Sequence, residues 1–185
     1  MTRQDEFSAL FAPDLATPDS AGSATAWKVL LVDDDPGIRA VYRLALQGIE
    51  VAGRALHFLD ATSAREATAT LLANPDVALV LLDVVMETED AGLNLVRHIR
   101  DGMGNRVIQI ILITGQPGYA PLREVIRSYE INSYLAKSEL TADRIFSAVH
   151  SALRSYGLLR DMLQQEQQLQ LLSIAFTHAR DGVLI

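Results

Sequence analysis

The sequence predicts an α/β fold, a doubly wound sheet of parallel strands, on three observations. Short, almost uninterrupted apolar runs recur along the chain, and each is followed by a helix-compatible stretch. The ends of four of these runs carry polar residues: Asp33, Asp83, Thr114 and Lys137. Strands alternating with helices imply parallel pairing through crossover connections, and a strand covered on both faces is apolar at almost every position. At 185 residues, with 49% hydrophobic and 21% charged residues, the chain has room for one such domain with extensions.

The elements follow in order. Residues 1–26, rich in Ala, Ser, Thr, Asp and Pro, are expected to be a flexible tail, with Phe7, Leu10 and Phe11 spaced for a short docking helix as the alternative. "WKVLLVD" (27–33) is the first strand, and Pro36-Gly37 breaks it before the helical "IRAVYRLALQ". "RALHFLD" (54–60) is the second strand. The next helix starts at Ser63, with Glu66 at capping-box spacing. "DVALVLLD" (76–83) is the third strand, followed by the helix "GLNLVRHIR". "VIQIILIT" (107–114) is the fourth strand and "PLREVIRSYE" its helix. "INSYLAK" (131–137) is the fifth strand, and Thr141 caps the fifth helix, "TADRIFSAVHSALRSY".

Beyond Gly157 the pattern changes. Leu158, Met162, Gln165, Leu169, Leu172, Phe176 and Ala179 step 4-3-4-3-4-3, the spacing of a coiled-coil seam. A dimeric coiled coil is the expectation; a helix folding back on its own domain is the alternative. Gly157 disfavours helix by about 1 kcal/mol relative to Ala, so a break or hinge is expected there.

Charge and composition remove several function classes. A net charge of −7 argues against non-specific nucleic-acid binding, which needs clustered Lys and Arg. Without cysteine there is no disulfide and no thiolate metal site. "VALVLL" and "VIQIILI" fall far short of the ~20 residues of a membrane helix, and the acidic start "MTRQDEF" does not resemble a secretory signal. A soluble, cytoplasmic protein is expected. His57, His98, His150 and His178 have no metal-ligand spacing, and "ETED" (87–90) is expected to be an exposed acidic loop.

In a doubly wound sheet, ligands bind at the carboxyl ends of the strands where strand order reverses. With five strands in the order 2-1-3-4-5, Asp33, Asp34 and Asp35 meet Asp83 there, with Thr114 and Lys137 on the same edge. Asp35 is expected to be solvated at the mouth of the loop. Paired carboxylates make a hard oxygen site suited to Mg²⁺, with Mn²⁺ a possible substitute. A carboxylate is also a competent nucleophile toward phosphorus. Phosphoryl transfer then asks mainly for positioning and neutralisation of charge, which a cation, a lysine and a hydroxyl supply.

"VLLVDDDPGIR", "LVLLDVVM", "ILITG" and "SYLAK" resemble, in order and spacing, the receiver (CheY-like) domain of two-component response regulators, over residues 27–155. The resemblance implies a (βα)5 flavodoxin-like fold and a phosphorylation switch. Asp83 would take a phosphoryl group from a histidine kinase or phosphotransfer protein. Asp33, Asp34, Asp83 and the backbone carbonyl of Val85 would hold Mg²⁺. Thr114 would be the switch hydroxyl, Lys137 the lysine that neutralises phosphate, and Tyr134 the aromatic that swings inward. The sequence departs from the pattern at Glu87 and Ser138, where proline is usual, and in one extra residue between Asp83 and Gly92.

Two other readings of the acids are a phosphate-independent dimerisation module and a haloacid-dehalogenase-like phosphatase. The second needs Asp-x-Asp followed by Thr or Val, whereas Pro36-Gly37 follows Asp33 and Asp35. The final stretch, "IAFTHARDGVLI" (174–185), resembles the opening of a PAS sensory domain. The resulting division is a tail (1–26), a receiver (27–155), a signalling and dimerisation helix (156–178) and the start of a PAS domain (179–185). By analogy of architecture, a missing output would make or hydrolyse cyclic-di-GMP. No nucleic-acid or membrane partner is expected.

Overall fold

Strand β1 (Trp27–Val32) lies inside the sheet, between β3 (Arg54–Ala61) and β4 (Val77–Asp83). Beyond β4 follow β5 (Gln109–Thr114) and β6 (Ser133–Ala136). These pairings are all parallel, so the parallel strands keep the expected order 2-1-3-4-5. The computed structural model describes residues 26–115 and 129–181, with side chains of the last helix described as far as residue 174. The expected tail, most of the helix over 121–130 and the last four residues lie outside the described residues.

One strand was not anticipated. β2 (Glu50–Val51) pairs antiparallel with the start of β3. The turn residues Ala52 and Gly53 both have positive φ, 52° and 71°, as a two-residue hairpin matched to strand twist requires. Alanine in the first position hides the Asn-Gly signal by which such turns are usually read.

Side chains alternate across the sheet and build two cores. On one face Leu30, Val32, Leu82, Ile110 and Leu112 meet α2 (Ala64–Ala73) and α3 (Ala91–Arg97). On the other, Val29, Leu31, Leu81 and Ile113 meet α1 (Pro36–Ala45) and the first half of α4 (Ala142–Asp181). β4 and β5 are buried at every residue.

The helix starts carry the chain into the site. Proline does not precede α1 but opens it, since its missing N–H costs nothing in the first turn. Asp35 is the cap, its Oδ1 accepting from Gly37 N at 2.7 Å, so it is more than the solvated bystander expected. Ser63 caps α2, accepting from Glu66 N at 3.2 Å. Glu66 Oε2 reaches back to Thr62 N and Oγ1, each at 2.7 Å, one residue beyond the usual box. α3 ends in a wide π turn, His98–Gly102. From it the buried guanidinium of Arg100 donates to the carbonyls of Asn105 and Glu130, tying down the approach to β6.

α4 is a single helix of 40 residues, which corrects the break expected at Gly157. Gly157 crosses Trp27 closely; a Cβ there would sit 3.5 Å from the ring's Cη2. The Tyr156 ring meets the same indole edge-on at 5.9 Å between centroids. Such aromatic packing outweighs the roughly 1 kcal/mol helix penalty of glycine. Past this point the helix leaves the domain. Leu158, Met162, Leu169 and Leu172 are 62%, 65%, 67% and 50% exposed, so this stretch does not fold back onto its own sheet. Among the described residues no helix is long and apolar enough to cross a membrane.

Candidate functional site

Three acids and a lysine converge at the carboxyl ends of β1, β4 and β6. Asp33 follows β1 and is fully buried; Asp83 ends β4 and is 4% exposed; Asp34 is exposed at the rim. One oxygen from each lies within 4.8 Å of the others. Lys137, just after β6, places Nζ 2.6 Å from Asp83 Oδ2 and 2.9 Å from Asp33 Oδ2. Only the first of these has hydrogen-bond geometry. Asp33 is held from the other side, its Oδ1 accepting from Asp35 N at 3.0 Å and its carbonyl from the Arg39 guanidinium.

Electrostatics follow from this placement. Burial raises the Asp83 carboxyl above the usual carboxylate range; Lys137 opposes the rise and the Asp33 charge adds to it. For Lys137, burial works against the ammonium, but the hydrogen bond to Asp83, the close contact with Asp33 and the charges of both carboxylates outweigh it and leave the group raised. The ammonium thus stands where carboxylates this close need positive charge. The donor set is all oxygen, and Asp33 Oδ2 has no hydrogen-bond partner, so the cluster fits a hard divalent cation.

The remaining expected residues lie along the same edge. Thr114, buried, ends β5 and pairs in register with Ala136, next to Lys137. Tyr134 pairs with Leu112, two residues before Thr114, and is half-buried against the core on that face. Val85 sits in the turn after β4, its N–H donating to Asp83 Oδ1 at 3.4 Å. Asp33, Asp34, Asp83 and Lys137 therefore come together, Thr114 and Val85 border them, and Tyr134 stands one step down the sheet.

Sequence reasoning missed the roles of Gly92 and Tyr42 here, and it marked Glu87 only as a departure from the usual proline. Gly92 is required by contact: a Cβ would fall 2.2 Å from the Asp83 carbonyl, and Gly92 N donates to Val84 O at 3.0 Å. Glu87, at the usual proline position, caps α2 from across the loop, accepting from Ala64 N at 2.9 Å. The loop's extra residue is accommodated by Met86 N and Ala91 N, which both donate to the Thr88 carbonyl. Tyr42 of α1 is 1% exposed, and its hydroxyl lies by Asp33, although its position in the helix reads only as an apolar one.

A five-stranded parallel sheet with a lysine-bridged acid cluster at its switch point is a receiver-type α/β architecture. The chain belongs to the response regulator receiver domain family, whose model matches residues 29–150. Over 146 residues, 79% of its length, it is 45% identical to the 3'3'-cGAMP-specific phosphodiesterase 2 of Vibrio cholerae. It is 26% identical over 149 residues, 77% of its length, to the two-component response regulator PprB of Pseudomonas aeruginosa. The chain spans only 27% and 52% of these two relatives. Among solved structures, the receiver domain of an HD domain-containing protein from Pseudomonas fluorescens Pf-5 is similar, with a TM-score of 0.58 and 26% identity. That match covers 71% of this chain and 98% of the other.

Proposed function

We propose that this receiver is a phosphoacceptor switch in which Asp83 takes the phosphoryl group of a phosphohistidine on a histidine kinase or phosphotransfer protein. An Asp83 oxygen attacks phosphorus, an O–P bond forms, the N–P bond breaks, and the imidazole leaves with the electron pair. Asp33, Asp34, Asp83 and the Val85 carbonyl would hold Mg²⁺, which supplies charge neutralisation at the phosphoryl oxygens when bound. Lys137 turns from the carboxylates to the phosphate, and the Thr114 hydroxyl donates to it. Tyr134 follows Thr114 inward and alters the face of β5, β6 and α4. The observation that carries this reading is the Lys137 ammonium bridging Asp83 and Asp33 at 2.6 and 2.9 Å.

Residues 156–178 act as a signalling helix that pairs with a second copy, and 179–185 begin a PAS domain. The similarity to a 3'3'-cGAMP-specific phosphodiesterase supports an output that hydrolyses a cyclic dinucleotide over one that makes it. Within residues 27–155 the chemistry is limited to gain and loss of the phosphoryl group.

The test is incubation with acetyl phosphate and Mg²⁺, followed by intact-mass measurement. Wild type gains one phosphoryl group, Asp83→Asn gains none, and chelation of the cation abolishes the gain. Labelling that survives in Asp83→Asn would contradict the assignment of the acceptor.

A further inference from the structure

Tyr42 occupies a place on α1 that leucine or phenylalanine could fill. Its side chain packs in the core with Leu31, Ile113 and Leu153, and its hydroxyl lies within reach of the Asp33 carboxylate without making a hydrogen bond of good geometry among the described residues. Asp33 Oδ2, also buried, likewise lacks a well-formed hydrogen bond and faces the Lys137 ammonium at 2.9 Å. The two groups are neighbours. Burial first, then the charges of Asp33 and Asp83, push the Tyr42 hydroxyl well above its ordinary range. The wall of the acid pocket on the α1 side is therefore a phenol that keeps its proton.

A buried hydroxyl without a partner is unfavourable, and each carboxylate oxygen can accept at two sites. We propose that Tyr42 is a positioning residue of the acidic pocket, its hydroxyl donating to Asp33 Oδ2 once a divalent cation replaces the charge of Lys137. The inference rests on the assignment of Asp33 as a cation ligand made above. While Lys137 bridges Asp33 and Asp83, Oδ2 is turned to the ammonium. When Lys137 moves away, Oδ2 is left in the core without a donor, and the phenol is the polar group beside it. Asp35 N on Oδ1 and Tyr42 on Oδ2 then fix the plane of the carboxylate. A neutral donor can do this without competing with the cation for the negative charge.

The test is calorimetric titration of the chain with Mg²⁺, in wild type, Tyr42→Phe, Tyr42→Leu and Asp33→Asn. Tyr42→Phe is expected to weaken Mg²⁺ binding about tenfold, with the cation-free unfolding midpoint unchanged or higher. In acetyl phosphate labelling it raises the half-saturating Mg²⁺ concentration by the same factor, while the rate at saturation stays within about twofold. Tyr42→Leu shows the same loss of affinity together with a lower unfolding midpoint. Unchanged Mg²⁺ affinity in Tyr42→Phe, with binding lost in Asp33→Asn, overturns the proposal, as does a loss of affinity that merely tracks lost stability. If Asp33→Asn also binds Mg²⁺ normally, the cation site itself is wrong and the role of Tyr42 falls with it.

Discussion

The two halves of α4 are made of similar residues and meet different fates. Between residues 142 and 157, Ile145, Val149, Ala152, Leu153 and Tyr156 are buried against the sheet. Between 158 and 174, Leu158, Met162, Leu169 and Leu172 point away from any part of the described domain. The difference lies in the reach of the sheet. Ile145, Val149, Ala152 and Tyr156 step 4-3-4, and the same face continues through Leu159 and Leu163, which are nevertheless 40% and 42% exposed. The seam through Leu158 and Met162 lies one residue earlier, about 100° around the helix. Past Gly157 the helix runs off the domain without any break in the backbone, and apolar residues of both phases are left uncovered. Helical periodicity states that a face is to be covered; the extent of the packed sheet decides whether the chain itself can cover it.

Substitutions along α4 probe this contrast, and the largest effect belongs to the docked half. Leu153→Ala removes a fully buried side chain and should destabilise the domain by about 2–5 kcal/mol in urea unfolding. Leu169→Ala, studied at concentrations where the chain is monomeric, should leave stability within about 0.5 kcal/mol. Equal losses at the two positions would mean that the second half packs on the domain after all.

Association gives the next largest effect. Leu169→Asp or Leu172→Asp places a charge in the seam and should abolish self-association in sedimentation equilibrium, with the acetyl phosphate reaction intact. An unchanged oligomer would remove the seam from the assembly.

A smaller effect reports the orientation of the paired helices. In a parallel pair with Met162 and Leu169 at equivalent core positions, Asp161 of one helix flanks Glu166 of the other, a like-charge contact. Asp161→Lys converts it to attraction and should tighten the dimer by about threefold at low salt, less at high salt. No change would favour antiparallel pairing.

The smallest effect is at the turning point. A methyl on Gly157 would sit in ordinary contact with Trp27, so Gly157→Ala should stabilise the domain by about 0.5–1 kcal/mol through helix propensity. A loss of stability would show that the approach to Trp27 is tighter than van der Waals contact.

Most of the site could be read from the chain because each of its residues ends an element. Asp33, Asp83, Thr114 and Lys137 stand at the ends of apolar runs, and a parallel sheet carries all such ends to one edge. Tyr42 had no such marker. Its ring satisfies the apolar period of α1, and only the packing of α1 on β1 brings its hydroxyl to Asp33. Glu87 was visible as a departure from the usual proline, but its partner, Ala64 N, begins a helix on a different segment. The β2–β3 hairpin escaped because Ala52 adopts a positive φ that its side chain gives no reason to expect.

By itself the sequence determined the alternation of elements, the parallel pairing of the five main strands and the polar residues that stand at their carboxyl ends. These depend on local period and on chirality rules that hold for any chain of this pattern. Tertiary structure alone decided that Lys137 bridges Asp33 and Asp83, that a tyrosine hydroxyl backs the buried carboxylate, and that α4 runs unbroken past Trp27. Those outcomes depend on distances between segments far apart in the chain, and such distances are set only when the two cores pack against the sheet.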